Sequence, residues 1–239
     1  MRMKRVLDLV LAVVGALLWV PVVLIGALLV LVCSGRPVFY RSNRVVRTGD
    51  VRRIVKFRTM VRNAEQIANR ETVPVTGVRF LNIPPDSPLY TGIGRLLEKC
   101  GITELPQFVH VLAGHMSIVG NRPLPKNVLD CLRGEYPYAD ERFLTKAGVT
   151  GPAQLVGRAA LTDDERLRLE AAYCRTCLHS YSIWLDISIL VRTVLIVAGL
   201  MKPMPYQRVL DLLDRQAWHA EVPLQPVGAG APAAPVGVD

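Results

Sequence analysis

Residues 9–33 carry no charged side chain. At about 1.5 Å of rise per residue, a helix of that length crosses a hydrocarbon core of roughly 30 Å. A secretory leader has an apolar stretch about half as long that ends in small residues before a cleavage site. Here Ser34, Gly35, Arg36 and Pro37 follow instead, and further basic residues crowd in behind them. Pro21 stands near the middle of the run, flanked at a distance by Gly15 and Gly26. A proline there removes a backbone donor and clashes with the carbonyl one turn earlier, so a break is expected at Pro21. Arg2, Lys4 and Arg5 precede the run, and Arg36, Arg41, Arg44 and Arg47 follow it. A simple span leaves one flank poor in Lys and Arg. Two positive flanks suit a re-entrant helix with both ends at the cytoplasmic face; a kinked spanning helix is the alternative.

Beyond residue 36 the pattern shortens and mixes. Val38, Phe39 and Tyr40, and then residues 51–57, read as strands around a turn at Thr48, Gly49 and Asp50. Helices are expected over 61–70 and 92–100, with a proline-rich connection at 74–88 between them. Thr103 reads as the N-cap of a helix over 104–110, with Pro106 tolerated in its first turn. Residues 114–125 read as a loop punctuated by glycine and proline around Ile118 and Val119. Thr162 opens a further helix, with Asp163, Asp164 and Glu165 at its positive end, which runs through Tyr173 towards His179. Residues 182–200 are apolar apart from Asp186 and Arg192, which suits a helix lying on a membrane or packed in the core, not a second span. From residue 222 onward Pro, Ala, Gly and Val dominate, and a disordered tail is expected. The fold class is thus α+β and mostly helical. A membrane segment spans 1–36, a cytoplasmic domain 37–215 and a tail 216–239.

Composition narrows the chemistry. The 239 residues are 51% hydrophobic and 21% charged, which excludes a mainly disordered chain or a small disulfide scaffold. Basic residues outnumber acidic ones by 29 to 20, giving a net charge of +9 that suits an anionic partner. Between Arg36 and Arg62 only Asp50 opposes nine cations, a cluster fit for lipid headgroups or for a phosphate-bearing substrate. Nucleic-acid recognition signatures are missing from the sequence, and these cations stand against the apolar run, so nucleic acid is not the expected partner. The five cysteines are odd in number and scattered, which favours reduced thiols. Cys174 and Cys177 form a lone C-x-x-C without a second ligand pair, a poor metal site. The four histidines show no metal-ligand spacing, and no phosphate-binding glycine loop or nucleophile elbow occurs.

What remains is an ordered series of short polar clusters. Lys4-Arg5 with Asp8 comes first, then Lys56-Phe57-Arg58-Thr59-Met60 and Thr103-Glu104-Leu105-Pro106-Gln107. Gly114 to Pro123 follows as GHMSIVGNRP, and Ala147 to Gln154 as AGVTGPAQ, trailed by Gly157-Arg158. Singly, each suits turns and packing as well as function. In this order they resemble the bacterial sugar transferases, the monotopic polyprenyl-phosphate glycosyl-1-phosphate transferases, over residues 4–200.

The resemblance implies a re-entrant helix broken at a Ser-Pro pair, of which this chain keeps Pro21 but has Val20 for the serine. It implies transfer of a sugar 1-phosphate from a UDP-sugar to undecaprenyl phosphate with release of UMP, at the cytoplasmic face of the membrane, with magnesium required. It also allows two copies to pair through the membrane region. Lys56, Arg58, Arg122 and Arg158 fall where the family keeps basic residues and are expected on phosphates, Gln154 on nucleotide or sugar, and Lys4 and Arg5 on the lipid phosphate. Cationic clamps of this kind lower the barrier to moving a charged phosphoryl group between two anions.

The main departure is at the expected catalytic pair. Family members typically have Asp-Glu, the aspartate held to be a nucleophile and the glutamate a metal ligand, where this chain has Thr103-Glu104. Three readings stay open. Glu104 takes over as nucleophile or supports direct transfer; Thr103 acts with a base; or turnover is lost and ligand binding kept. Asn121 for a commoner proline, His115 for an acidic residue and Glu98 for a basic one are lesser departures.

Overall fold

The first helix is amphipathic the wrong way round for a water-soluble protein. In α1 (Arg2–Val14) the buried stripe is Lys4, Asp8 and Ala12, while Met3, Val6, Val10 and Val13 face outward. The i, i+4, i+8 spacing puts both charged residues on one face, and that face docks on the rest of the chain. Lys4 reaches Asp186, and Asp8 accepts from Ser117 Oγ and the Ile118 amide. α2 (Ala16–Ser34) is the one helix among the described residues long and apolar enough to cross a membrane, and its leucines and valines are mostly exposed. Its inward contacts are narrow. Gly26 lies against the Phe57 ring, where a Cβ would sit 2.9 Å from Cζ, and Val30 is buried with Phe57 and Leu97.

The break between α1 and α2 falls at Gly15, not at Pro21, which sits inside α2. The Leu18 and Trp19 amides both return to the Gly15 carbonyl, and the Trp19 indole takes the Ala12 carbonyl at 2.9 Å. Pro21 falls in the second turn of α2, where it gives the Leu17 carbonyl no backbone amide. The two halves then pack on one body: α1 against an element pair around residue 112 and residue 117, α2 against the strand ending at Phe57.

The computed structural model describes residues 2–67, 87–157 and 160–218. A hairpin of β1 (Phe39–Arg47) and β2 (Asp50–Phe57) follows α2, with a bulge between Val45 and Arg47. Then come α3 (Ala64–Ile67), α4 (Gly92–Lys99), a 3₁₀ turn over Leu105–Gln107 and α5 (Phe108–Leu112). β3 (Ser117–Val119), α6 (Lys126–Glu135), a 3₁₀ turn over Ala139–Phe143, β4 (Gly148–Thr150) and α7 (Pro152–Val156) lead to the long helices. These are α8 (Asp163–His179), α9 (Ile183–Val197) and α10 (Tyr206–Trp218). The mixed, mostly helical class matches expectation. The helix expected over 61–70 is described only as α3, and most of 74–88 and of the expected tail lie outside the described residues.

Four of the elements go beyond the sequence reading. β3 and β4 pair in parallel, Ser117 opposite Gly148 and Val119 opposite Thr150, inside what reads as loop. Their closeness requires glycine: a Cβ on Gly148 would lie 2.1 Å from the Gly120 amide nitrogen. α6 and α10 also go beyond the sequence reading. α10 buries Val209 and Leu213 against α7 and α8, and the Met204 amide donates to the Leu155 carbonyl. The helix start expected at Thr162 is present and is closed by a capping box, with Thr162 Oγ1 accepting from the Glu165 amide and Glu165 Oε2 from the Thr162 amide.

The main core joins Met116, Ile118, Leu155, Leu169, Tyr173, Leu185, Ile189, Val209 and Leu213. α9 contributes Leu185, Asp186 and Ile189 to it and turns Trp184, Val191, Val194 and Val197 outward. With 15 residues, α9 is shorter than a span requires.

Candidate functional site

Strand alternation and one backbone hydrogen bond assemble the site. Tyr40, Ser42 and Arg44 share one face of β1, and the register sets Lys56 directly opposite Tyr40 on that face. Lys56 Nζ lies 5.4 Å from the Tyr40 ring centroid, and Arg44 Nε donates to Ser42 Oγ at 2.9 Å. The Phe57 amide donates to the Thr103 carbonyl at 3.1 Å, which ties the end of β2 to the start of the 3₁₀ turn. Glu104 stands at that start and pairs with Arg122.

Arg122 is held by its backbone from behind. Its carbonyl accepts from Arg142 Nη2 at 2.9 Å, and the same nitrogen pairs with Glu170 at 2.8 Å. Asn121 donates its amide to the carbonyls of Arg142 and Glu170, at 2.9 and 2.8 Å. Asn121 therefore rivets the Arg122 segment to α8.

Electrostatics mark this cluster. Burial, with Arg122 nearby, pushes the Lys56 ammonium down to about 8, against the pull of Glu104 and Glu98 in the other direction. Burial and Arg122 likewise push Arg44 down to about 10. Arg44, Lys56 and Arg122 thus press on each other around Glu104, an excess of positive charge that an anionic ligand relieves. Arg44 escaped the sequence reading as a site residue, because β1 was expected to end at Tyr40. A strand continued by two-residue alternation would have placed Arg44 on the same face as Lys56, further along the hairpin.

Other expected site residues go elsewhere. Lys4 is buried, with Nζ 2.5 Å from Asp186 Oδ2, 3.0 Å from the Tyr173 hydroxyl and 2.8 Å from the Val119 carbonyl. An ammonium so enclosed secures α1 and does not present itself to a lipid phosphate. Arg5 donates to the carbonyls of Val111 and Leu112 at the end of α5. Arg58 donates to those of Ser34, Gly35 and Arg36, closing the carbonyl end of α2. Gln154 stands half-buried on α7 just beyond β4, and Arg158 lies outside the described residues. Thr103 is no N-cap: helical structure begins at Leu105, and the buried Thr103 hydroxyl has no hydrogen-bond partner. Cys174 and Cys177 are buried in α8, with Cys174 Sγ 3.2 Å from Thr145 Oγ1, a packing arrangement.

The chain's kin are consistent with this geometry. It is 35% identical over 193 residues to the UDP-N-acetylgalactosamine-undecaprenyl-phosphate N-acetylgalactosaminephosphotransferase of Aeromonas hydrophila, covering 80% of this chain and 42% of the relative. It is 32% identical over 194 residues to the UDP-glucose:undecaprenyl-phosphate glucose-1-phosphate transferase of Escherichia coli K12, covering 80% and 39%. The sugar transferase EpsL of Bacillus subtilis strain 168 is 32% identical over 205 residues, covering 84% and 92%. The chain thus spans less than half the length of the first two relatives and nearly all of the third. The sequence profile of the family described as "Bacterial sugar transferase" matches residues 1–199. The stretch matched holds the apolar run, the cationic hairpin face and the Glu104–Arg122 pair together, and the chain belongs to the bacterial sugar transferase family.

Proposed function

We propose that this protein moves a sugar 1-phosphate from a UDP-sugar to undecaprenyl phosphate and releases UMP, beginning the assembly of an exopolysaccharide or other surface glycan. The observation that carries the reading is the ring of Arg44, Lys56 and Arg122 around a single carboxylate, Glu104. A diphosphate entering this ring finds charge to neutralise it without drawing cations from solvent. The names of the relatives supply the substrate classes, nucleotide sugar and undecaprenyl phosphate.

In this reading Glu104 is the nucleophile. Its carboxylate attacks the phosphorus that bears the sugar, the bond to UMP breaks, and an oxygen of undecaprenyl phosphate then displaces the carboxylate. Thr103 is the weaker candidate, since a hydroxyl needs a hydrogen-bonded base to be activated and the Thr103 hydroxyl has no partner. The reading includes magnesium, and Glu104 is the carboxylate that would hold it beside the substrate phosphates; among the described residues no three His, Cys, Asp or Glu side chains cluster. When bound, the metal supplies neutralisation of the developing phosphate charge.

The same reading seats α1 and α2 in the cytoplasmic leaflet as a re-entrant hairpin, with α9 along the surface. Three features support it: the outward valines and leucines of α1 and α2, the return of both halves to one body, and the basic flanks. The test is UMP release by the full chain in detergent, given magnesium, undecaprenyl phosphate and a panel of UDP-sugars. Turnover with at least one sugar is expected. Silence across the panel, with Thr103→Asp gaining turnover, overturns the reading in favour of a ligand-binding protein without activity.

A further inference from the structure

The β1–β2 hairpin has a second cationic face, turned away from Glu104. Arg41 stands opposite Val55 in the register and Arg53 opposite Asn43, so the two arginines are diagonal neighbours on the face that does not carry Lys56. Both are exposed, and among the described residues neither has a hydrogen-bond or ion-pair partner. They line a cleft of about 460 Å³ with Arg58, Tyr40, Pro37, Val38 and Phe39. Arg58 spends its guanidinium on the carbonyls that end α2, and its Nε is buried without a partner. The cleft therefore gathers three guanidinium groups, with no carboxylate in its lining.

Its position and its walls select the ligand. Pro37, Val38 and Phe39 form an apolar wall beside the arginines, and in the chain they follow within a few residues of the end of α2, whose Leu28 and Val32 are exposed. A helix with its apolar face in hydrocarbon brings its last turn to the level of the lipid phosphates. Like charges held side by side on a strand repel unless an anion sits between them. A free phosphate would use the cations and leave the wall bare; an amphiphile uses both.

We infer that this cleft is a binding site for the headgroup of an anionic phospholipid, separate from the Glu104 site and set on the opposite face of the same hairpin. It rests on the proposed seating of α2 in the membrane. The bound phosphodiester bridges Arg41 and Arg53, its glycerol side lies along Val38 and Phe39, and the hairpin is fixed to the bilayer surface at a set height.

Full-length protein in a nonionic detergent is titrated with short-chain phosphatidylglycerol, the matching phosphatidylcholine and inorganic phosphate, reading thermal stabilisation and lipid retained in native mass spectrometry. Saturable binding of phosphatidylglycerol is expected, with phosphatidylcholine and phosphate far weaker. The double variant Arg41→Ala/Arg53→Ala should lose roughly tenfold or more of that affinity, while melting at the parent temperature without lipid. Equal affinity in parent and variant overturns the site, and phosphate binding as tightly as phosphatidylglycerol overturns the lipid assignment. UMP release on the same preparations keeps the two readings apart: lipid binding that depends on Arg41 and Arg53 supports the site whatever the turnover, and turnover without such binding overturns the site alone.

Discussion

Lys4 and Asp186 stand 182 positions apart in the chain and meet at 2.5 Å in a fully buried ion pair. The pair joins α1 to α9, so the first helix is fastened to the rest of the described chain by charge, while α2 packs through Val30 on Phe57 and Leu97. The Tyr173 and Tyr181 hydroxyls donate to the same carboxylate, at 2.7 and 2.9 Å. This division of labour has a physical reason. A helix whose outer face is apolar gains nothing in lipid from burying more apolar surface, whereas a polar group withdrawn from hydrocarbon into a matched partner does.

Asp186→Asn should therefore be severe. It leaves the Lys4 ammonium buried without a counter-charge, a loss of about 3–5 kcal/mol. Lys4→Met should cost less, because Asp186 retains two tyrosine hydroxyls. The double variant Lys4→Met/Asp186→Leu should recover part of the loss, since the unpaired ammonium is gone and Asp8 keeps its hydrogen bonds from Ser117 and the Ile118 amide. Thermal unfolding in detergent ranks the three, and an Asp186→Asn protein as stable as the parent would remove the fastening role.

Arg142 predicts a kinetic effect at a distance. Its Nη2 holds the Arg122 carbonyl while pairing with Glu170, so it sets where the Arg122 side chain starts. Arg142→Lys keeps a charge for Glu170 but cannot serve both partners with a planar fork. Misplacing a phosphate clamp by about 1 Å costs on the order of a hundredfold in rate. The expected outcome is kcat lowered roughly ten- to a hundredfold with a smaller change in the KM for UDP-sugar. An unchanged kcat would assign Arg142 to packing alone.

These two cases show what the sequence could and could not disclose. The apolar run, the turn at Gly49 and the helix start at Thr162 are local signals and read directly. Motif order points to Lys56, Glu104 and Arg122, and the structure brings these three together. Lys4, Arg5 and Arg58 bind partners within the chain, which the sequence could not show, for one shared reason. A cation's partner is fixed by tertiary contact, here a carboxylate far along the chain or the last carbonyls of a helix, and charge alone looks the same in both uses. β3 and β4 are three residues each and exist only as a pair, so no period announces them. α10 did carry a helical signal in Tyr206, Val209 and Leu213, hidden between Pro203, Pro205 and an unstructured composition.

Thr103 separates chemistry from packing. Its hydroxyl is buried and unpaired, so Thr103→Val, which keeps the shape, should raise stability by about 1 kcal/mol. UMP release should persist in that variant, while Glu104→Gln loses on the order of a hundredfold or more. A Thr103→Val protein that folds well yet fails to turn over would move the nucleophile to Thr103.

Lys56 gives the site a pH signature whose sign follows from its surroundings. In the free protein, burial and Arg122 hold its ammonium down to about 8 from an ordinary 10.5. A bound diphosphate brings negative charge and favours the protonated form, so binding above about pH 8 takes up a proton. UDP affinity should be flat below that point and fall as pH rises through it, by at most about tenfold per pH unit. Stability of the free protein runs the other way. The charged form is less welcome folded than unfolded, so Lys56 weighs against the fold below about 8, and that penalty fades as pH climbs towards 10.5. Calorimetry of UDP binding without divalent metal, in two buffers of different ionisation enthalpy, counts the proton directly. Lys56→Arg, which keeps its proton throughout, should flatten the affinity profile and abolish the uptake. A parent protein whose UDP affinity ignores pH across this window would place the diphosphate away from Lys56.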